Sequence, residues 1–211
     1  MKYSIVFPGQ GSQSIGMLSD LSSNFSVINE IFQEASDALG VDLWKIAQED
    51  QEALNLTENT QPIMLASGYA TYKILSNEAK LSPVCMAGHS LGEYTALVAS
   101  KSLIFFDAVK LVRRRAELMQ SAVPKGSGSM AAVLGLDDAK VIEICAKSSS
   151  HGIVEAVNFN SPGQVVIAGE KEAVIQACDE MKEAGAKRAL MLPISVPSHC
   201  SLMTDAAEEF K

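Results

Sequence analysis

The chain has 211 residues, which is enough for one sizeable hydrophobic core or for a core with a smaller second subdomain. Hydrophobic residues make up 47% of it, and the formal net charge is −8 at pH 7, which argues against non-specific nucleic-acid binding. No apolar run approaches the length of a membrane span, and the first residues lack a signal-peptide pattern. The four cysteines show no Cys-x-x-Cys spacing, which is typical of reduced thiols. We therefore expect a globular, cytoplasmic protein without a metal-ligand cluster.

The amino-terminal segment combines a short strand with a glycine-containing loop. Residues 2–7 predict a strand, which ends at Pro8. The loop Gly9-Gln10-Gly11-Ser12-Gln13 follows directly, and it lacks the third glycine of the dinucleotide-binding fingerprint. The loop is therefore either a plain turn or a segment whose backbone N–H groups face a ligand.

Apolar periodicity predicts two helices in the next part of the chain. The first covers residues 25–39 and ends at Gly40, a natural carboxyl-terminal stop. Residues 48–60 are polar and are expected to form a loop. After it, Gln61-Pro62 begins a second helix that runs to about residue 75, with the proline near its first turn.

A nucleophile elbow is predicted at Gly88-His89-Ser90-Leu91-Gly92. This segment fits the pattern Gly-x-Ser-x-Gly and lies between a short apolar run and the helix-forming residues 93–99. The chemistry requires a serine on a tight turn, and the flanking glycines let the strand and the helix approach each other. The helix start also places unpaired N–H groups near Ser90, where an oxyanion would form. Because so short a pattern also arises by chance, an ordinary glycine-rich turn is the alternative.

An arginine falls on the apolar stripe of the next predicted helix, which covers residues 105–123. Arg115 follows Leu111 by four residues and precedes Leu118 by three. A cation on a buried stripe is costly unless it meets an anion. The side chain therefore either extends to solvent or to a buried carboxylate, or it binds a substrate carboxylate, which a guanidinium can hold bidentately.

The segment after residue 123 predicts a second subdomain. Its strands and helices follow in the order β-α-β-β-α-β, which is the ferredoxin-like split motif. We assign residues 124–195 to this small subdomain, and residues 1–123 and 196–211 to an α/β-hydrolase-like large subdomain with a parallel sheet. The flanks of the small subdomain contain proline and suit a pair of hinges. The predicted fold class is therefore α/β.

Ser90 requires a general base, and the chain has three histidines to supply it. His199 follows the nucleophile along the chain, as the histidine does in α/β-hydrolase-like enzymes. His89 is adjacent to Ser90, so its side chain should point away from the serine hydroxyl. His151 lies in a serine-rich loop of the small subdomain. His199 is therefore the predicted base.

The usual partners of a serine esterase are missing from the sequence. The aspartates between Ser90 and His199 fall at helix starts or on a small-subdomain helix, and the oxyanion loop of lipases is absent. Cys200 has no elbow around it and is interpreted as a structural neighbour of His199. A serine esterase or thioesterase stays open at this point, although neutral acyl chains have no use for Arg115.

Five segments, spread from the first strand to the last helix, form one ordered set. They are Phe7-Pro8-Gly9-Gln10-Gly11-Ser12-Gln13, Gly88-His89-Ser90-Leu91-Gly92-Glu93, Arg115 in its helix, Val157-Asn158-Phe159-Asn160-Ser161-Pro162-Gly163-Gln164, and Ser195-Val196-Pro197-Ser198-His199. In these segments the chain resembles the malonyl-CoA:acyl-carrier-protein transacylases, the acyltransferase family of fatty-acid and polyketide synthesis.

The resemblance implies a role for each of five residues. Ser90 would carry the malonyl group as an ester, and His199 would act as general base and acid. The backbone N–H groups of Gln10 and Leu91 would form the oxyanion hole, with Gln10 also contacting the substrate. Arg115 matches the arginine that holds the malonyl carboxylate.

The resemblance also implies the reaction and its partners. Asn160 and Asn158 would line the thioester side of the substrate site. The expected partners are malonyl-CoA and acyl carrier protein, with no nucleic acid and no membrane. No cofactor is expected, since the coenzyme A thioester is a substrate. Family members continue well beyond the catalytic histidine, so the chain is expected to be an amino-terminal portion of such an enzyme, and an inactive fragment is the alternative.

Overall fold

The described residues form one parallel and one antiparallel β-sheet together with α-helices, and the fold belongs to the predicted α/β class. The computed structural model describes residues 2–80, 82–194 and 196–211. The chain divides into two compact units, Met1–Glu117 and Leu118–Lys211. The assignment of residues 124–195 and 196–211 to different subdomains stays a prediction.

The first unit holds the parallel sheet, which has two strands. Its elements are, in chain order, β1 (Ser4–Phe7), α1 (Ser19–Ser22), α2 (Val27–Leu39), α3 (Leu43–Glu49), α4 (Gln51–Leu54), α5 (Thr57–Ala79), β2 (Cys85–Gly88), α6 (Gly92–Ala99) and α7 (Phe105–Ser121), the last of which ends in the second unit. Strands β1 and β2 pair in parallel, with Phe7 opposite Gly88. The predicted first strand and the predicted helices at 25–39 and 105–123 are confirmed, with small shifts of their ends.

The prediction of a loop over residues 48–60 is wrong, because α3 continues to Glu49, α4 covers Gln51–Leu54 and α5 begins at Thr57. Side-chain caps begin the two short helices α3 and α4. The carboxylate of Asp42 accepts a hydrogen bond from the backbone N–H of Lys45 at 2.9 Å. The carboxylate of Asp50 accepts one from the N–H of Ala53 at 2.9 Å. Each aspartate satisfies an N–H group that a helix start otherwise leaves unpaired. Capping therefore folds a polar stretch whose apolar periodicity is too weak to indicate a helix.

Helix α5 begins at Thr57, four residues earlier than predicted. Pro62 therefore lies inside the helix and leaves the carbonyl of Glu58 without its helical donor. Nη1 of Arg113 donates to that carbonyl at 3.4 Å. With buried residues along much of its length, α5 forms the centre of the first hydrophobic core. Neither this 23-residue helix nor any other among the described residues is long and apolar enough to cross a membrane.

The second unit is built on the antiparallel sheet. Its elements are β3 (Gly128–Leu134), α8 (Asp138–Ser148), β4 (Val154–Ser161), β5 (Gln164–Glu170), α9 (Lys171–Glu183), β6 (Arg188–Met191) and α10 (Thr204–Phe210), with 3₁₀ turns at Ser149–His151 and Ser201–Met203. The predicted β-α-β-β-α-β order is confirmed. The strands lie in the order β4-β5-β3-β6, and each neighbouring pair is antiparallel.

Side chains of the antiparallel sheet enter two separate apolar clusters. Ala131 of β3 and Ile167 of β5 pack with residues of α8 and α9. Their neighbours along the strands, Met130 and Ala168, point to the opposite face of the sheet, because successive side chains of a strand point to opposite faces. There they pack with Cys200. The segment that follows β6 therefore returns across this second face, and it carries His199.

Candidate active site

Ser90 lies on the turn between β2 and α6, with a backbone φ of 51°. This left-handed conformation is unfavourable for a residue with a Cβ and persists only where its surroundings enforce it. A Cβ on Gly88 would lie 1.8 Å from the carbonyl carbon of Gly92, and a Cβ on Gly92 would lie 2.2 Å from the carbonyl oxygen of Phe7. Strand, turn and helix therefore approach too closely for a larger side chain, and the predicted strand-turn-helix context of the elbow is confirmed.

The loop after β1 packs directly against this turn. A Cβ on Gly92 would lie 2.8 Å from the carbonyl oxygen of Pro8. The backbone N–H of His89 donates to the carbonyl of Phe7 at 3.0 Å, which extends the pairing of the two strands by one step. Gln10 follows Pro8 by two residues, so the strand pairing brings its loop beside the elbow.

Gln10 and Leu91 supply two backbone N–H groups to this region. The side chain of Gln10 is held by a hydrogen bond from its Nε2 to Oγ1 of Thr57 at 3.2 Å. Leu91 directly precedes α6, where N–H groups point out of the helix start. Within the ranges 2–80, 82–194 and 196–211, neither backbone N–H donates to a protein acceptor.

Arg115 of α7 reaches the predicted nucleophile. Its Nη2 donates to Oγ of Ser90 at 3.1 Å, and its Nη1 donates to Oε1 of Gln61 at 2.8 Å. The ring centroid of Tyr94 lies 5.7 Å from the guanidinium carbon, within the range of a cation–π contact. Burial lowers the pKa of Arg115, an effect that Tyr94 and Glu93 oppose, and a guanidinium stays charged. These hydrogen-bonding and ring partners are neutral, so a half-buried cation lies beside the hydroxyl of Ser90.

Gln61 contacts Arg115 in the candidate site but is not among the residues predicted from the sequence. It is fully buried on α5, and its amide oxygen accepts from Arg115. A buried amide is costly unless it is hydrogen-bonded, so a polar residue at the head of the apolar run 63–66 was a usable signal. From the sequence, Gln61-Pro62 predicts only a helix start.

His199 lies in the second unit and also has a left-handed backbone, with a φ of 69°. His199 is exposed, whereas Pro197 and Cys200 around it are buried. Sγ of Cys200 donates to the carbonyl of Pro197 at 3.1 Å. Burial raises the pKa of the Cys200 thiol, which keeps it protonated and suits a structural role rather than a nucleophilic one.

Asn158 and Asn160 lie on β4, where the strand is irregular. Its pairing with β5 shifts between Ala156 and Asn158 and again between Phe159 and Ser161. Such bulges change the direction of side chains and are common beside active sites. Asn158 is half-buried and Asn160 is exposed.

The predicted site residues divide between the two units. The first unit contains Gln10, Ser90, Leu91 and Arg115, and the second contains Asn158, Asn160 and His199. The hydrogen bond from Arg115 directly joins two of them. Ser195, which belongs to the predicted histidine motif, lies outside the described residues.

Comparison with known protein families decides the classification. Residues 4–211 match the family model of the acyl transferase domain. The chain belongs to the acyl transferase family. Two relatives of this acyl transferase are the malonyl CoA-acyl carrier protein transacylases of Escherichia coli strain K12 and of Haemophilus influenzae. The first is 52% identical over 209 residues, which are 99% of this chain and 68% of the relative. The second is 54% identical over 210 residues, covering 99% and 67%.

Solved structures of similar sequence identity also resemble this acyl transferase in fold. FabD from Acinetobacter baumannii superimposes with a TM-score of 0.95 at 55% identity, covering 99% of this chain and 67% of that one. A malonyl-transacylase in complex with its type II PKS acyl-carrier protein gives a TM-score of 0.97 at 51% identity, covering 100% and 68%. The chain thus spans about two thirds of the length of these proteins.

Proposed function

We propose that this acyl transferase moves a malonyl group from malonyl-CoA to the phosphopantetheine thiol of acyl carrier protein, through an acyl-Ser90 intermediate, in fatty-acid biosynthesis. The names of its relatives support this reaction, and the solved complex of a malonyl-transacylase supports acyl carrier protein as the partner. Within the chain, the observation that carries the proposal is the hydrogen bond from Arg115 to Ser90.

The position of Arg115 fits a short acyl group with a free carboxylate. In a malonyl thioester, one methylene separates the carboxylate from the carbon that a nucleophile attacks. A group that binds the carboxylate must therefore lie very close to the nucleophile, and Nη2 of Arg115 lies 3.1 Å from Oγ of Ser90. A guanidinium offers several donors in a planar fork that matches a carboxylate. The site therefore favours malonyl over acetyl groups.

The proposed reaction has two half-reactions with one covalent intermediate. Oγ of Ser90 attacks the thioester carbon while His199 takes the hydroxyl proton, and the C–S bond breaks as this proton passes to the leaving coenzyme A sulfur. In the second half-reaction, His199 takes the proton of the phosphopantetheine thiol, whose sulfur attacks the ester carbon. The C–O bond breaks, and the proton returns to Ser90.

We assign the oxyanion hole to the backbone N–H groups of Gln10 and Leu91. Leu91 directly follows Ser90 in the elbow, and Gln10 lies in the loop that packs against the elbow. Leu91 also lies at the amino-terminal end of α6, where the helix dipole is positive. Donors already fixed in place stabilise the developing negative charge without reorganisation. Asn158 and Asn160 are assigned to the thioester side of the substrate, where amides can donate to its polar groups.

We also propose that the chain folds into two subdomains and that the protein is cytoplasmic. The strand order β4-β5-β3-β6 supports a ferredoxin-like subdomain at residues 124–195. The parallel pair and the elbow support an α/β-hydrolase-like subdomain formed by residues 1–123 and 196–211. The four free cysteines suit a cytoplasmic location. No cofactor is proposed, because the thioester itself supplies the activated acyl group.

The decisive experiment incubates the chain with malonyl-CoA and measures the intact protein by mass spectrometry. We expect a malonyl adduct that maps to Ser90, disappears when acyl carrier protein is added, and does not form in Ser90→Ala. Release of free malonate without acyl carrier protein would instead indicate a hydrolase. No adduct with the unmodified chain would contradict the proposed function.

A further inference from the structure

The carboxylate of Glu155 holds Ser201 at two atoms. Oγ of Ser201 donates to Oε1 of Glu155 at 2.5 Å, and the backbone N–H of Ser201 donates to Oε2 at 3.0 Å. Hydrogen bonds to an ionised acceptor are roughly twice as strong as neutral ones. Glu155 lies on β4 and Ser201 begins the 3₁₀ turn Ser201–Met203, so this contact ties two segments that are 46 positions apart.

The sheet directs Glu155 toward the segment that carries His199. Val154 packs in the apolar cluster formed with α8 and α9. Because neighbouring side chains of a strand point to opposite faces, Glu155 extends toward the other face. That face is covered by the segment after β6, including Cys200 and Leu202 on either side of Ser201.

The backbone of His199 needs contacts that hold it in place, because a left-handed conformation is unfavourable for a residue other than glycine. Such a conformation persists only when neighbouring contacts over-determine it. Before His199, the N–H of Ser198 donates to the carbonyl of Val196 at 2.9 Å. After it, Cys200 is buried against the sheet, and Ser201 is tied to Glu155. The tie is a polar connection between this turn and strand β4.

We propose that Glu155, acting through Ser201, is a positioning residue that fixes the backbone at His199 and thereby the direction of its imidazole. The inference rests on the proposed function, in which His199 moves the proton of Ser90. A general base must lie within hydrogen-bond reach of the proton it takes. A displaced imidazole therefore slows the chemical step while substrate binding is retained.

The test uses Glu155→Gln and Ser201→Ala, alone and combined. Glutamine keeps the size of glutamate but replaces one acceptor oxygen with a donor, and alanine removes the Ser201 hydroxyl while keeping its N–H. Single-turnover acylation of the 211-residue chain by malonyl-CoA gives the acylated fraction, the saturating rate constant and the half-saturating concentration. The matched control is Ser26→Ala, which removes a 2.9 Å hydrogen bond from a serine hydroxyl to the carboxylate of Glu30.

We expect each single variant to lower the saturating rate constant about tenfold, since small misplacements of catalytic groups can cost up to about a hundredfold. The acylated fraction and the half-saturating concentration should stay unchanged, and Ser26→Ala should match the unmodified chain. Because both variants break one tie, the double variant should be no slower than the slower single variant. Unchanged rate constants, or an acylated fraction that falls in step with the melting temperature, would overturn the positioning role.

A second measurement separates this inference from the proposed function. With three histidines in the chain, the imidazole NMR signals can be assigned by substituting His199. Glu155→Gln should shift or broaden the His199 signal and leave those of His89 and His151 in place. An unchanged His199 signal overturns the inference even if acylation proceeds. Absence of acylation in the unmodified chain, together with a shifted signal, contradicts the proposed function and leaves the tie to His199 supported.

Discussion

Nη2 of Arg115 lies 3.1 Å from Oγ of Ser90, so one hydrogen bond connects the middle of α7 with the turn before α6. A guanidinium has only donors, so the serine oxygen is the acceptor in this contact. Arg115 therefore does not engage the hydroxyl proton of Ser90, which the proposed function transfers to a base. In the proposed function, the guanidinium beside this hydroxyl binds the free carboxylate of the malonyl group.

Replacing Arg115 with alanine should collapse the preference for malonyl-CoA over acetyl-CoA. Removing one partner of a desolvated, hydrogen-bonded charge pair costs about 2–5 kcal/mol. This corresponds to roughly 30-fold to several thousandfold in kcat/KM for malonyl-CoA. Acetyl-CoA has no carboxylate, so its rate should be spared or raised. The measurement is the rate of Ser90 acylation by each thioester.

Arg113 provides the matched control for this substitution. It lies on the same helix, but its Nε donates to Glu117 at 2.7 Å and its Nη1 donates to Asn59 at 3.1 Å. Arg113→Ala should therefore leave the malonyl-to-acetyl ratio unchanged. Equal losses of malonyl and acetyl transfer in Arg115→Ala would make Arg115 a structural residue and remove the chemical basis of malonyl selectivity.

Gln61→Leu should weaken malonyl transfer by a smaller factor than Arg115→Ala. Leucine is similar in size and apolar, but it leaves Nη1 of Arg115 without its acceptor at 2.8 Å. An unsatisfied buried donor costs about 1–3 kcal/mol. We expect the guanidinium of Arg115 to move from its position beside Ser90 in order to reduce this cost. We expect kcat/KM for malonyl-CoA to fall about tenfold, with acetyl transfer and the acylated fraction unchanged. A loss shared by both thioesters would show that Gln61 serves the fold rather than the orientation of Arg115.

Much of the fold could be predicted because its signals are local. The elbow around Ser90 has glycines at fixed spacing, and the β-α-β-β-α-β order follows from short apolar runs separated by turns. Arg115 could be singled out because a cation on an apolar stripe violates the helical pattern. Each of these features lies within one continuous segment of sequence.

The rest could not be predicted because it depends on contacts between distant segments. Gln61 is recognisable as a site residue only when its distance to Arg115 is known, 54 positions away. The tie between Glu155 and Ser201 depends on the segment after β6 returning across the sheet. The left-handed backbone of His199 carries no sequence signal, since the residue is not a glycine.

Gly92→Ala should disrupt the elbow and abolish acylation. The added Cβ would lie 2.2 Å from the carbonyl oxygen of Phe7, which belongs to a paired strand and cannot move freely. Overpacking of this kind commonly costs about 1–3 kcal/mol and can exceed it, so we expect a loss of unfolding free energy of at least about 3 kcal/mol in urea titrations. The control is Gly40→Ala, where a Cβ meets no heavy atom within 4 Å and the φ of 66° should cost about 1–2 kcal/mol. Similar losses for the two variants would contradict the close approach at the elbow.

Buried thiols should make the protein lose stability in alkaline solution. Burial raises the pKa of Cys145 from 9.0 to about 12 and that of Cys178 to about 11. In the unfolded chain these thiols ionise near their ordinary pKa, so above it the folded chain binds more protons than the unfolded one. By linkage, their contribution to stability is complete below about pH 9 and is lost as the pH rises toward 12.

Melting temperatures measured between pH 8 and pH 11 test this dependence. Cys145→Ala should melt at a lower temperature than the unmodified chain at pH 8, because it leaves a cavity in the core of the second unit. Between pH 8 and pH 11, the melting temperature of Cys145→Ala should nevertheless fall by less than that of the unmodified chain, because the variant lacks one thiol with a raised pKa. Cys85→Ala is the control, since Cys85 is exposed, and its decrease should equal that of the unmodified chain. Parallel decreases for all three proteins would show that ionisation of the buried thiols does not govern alkaline unfolding.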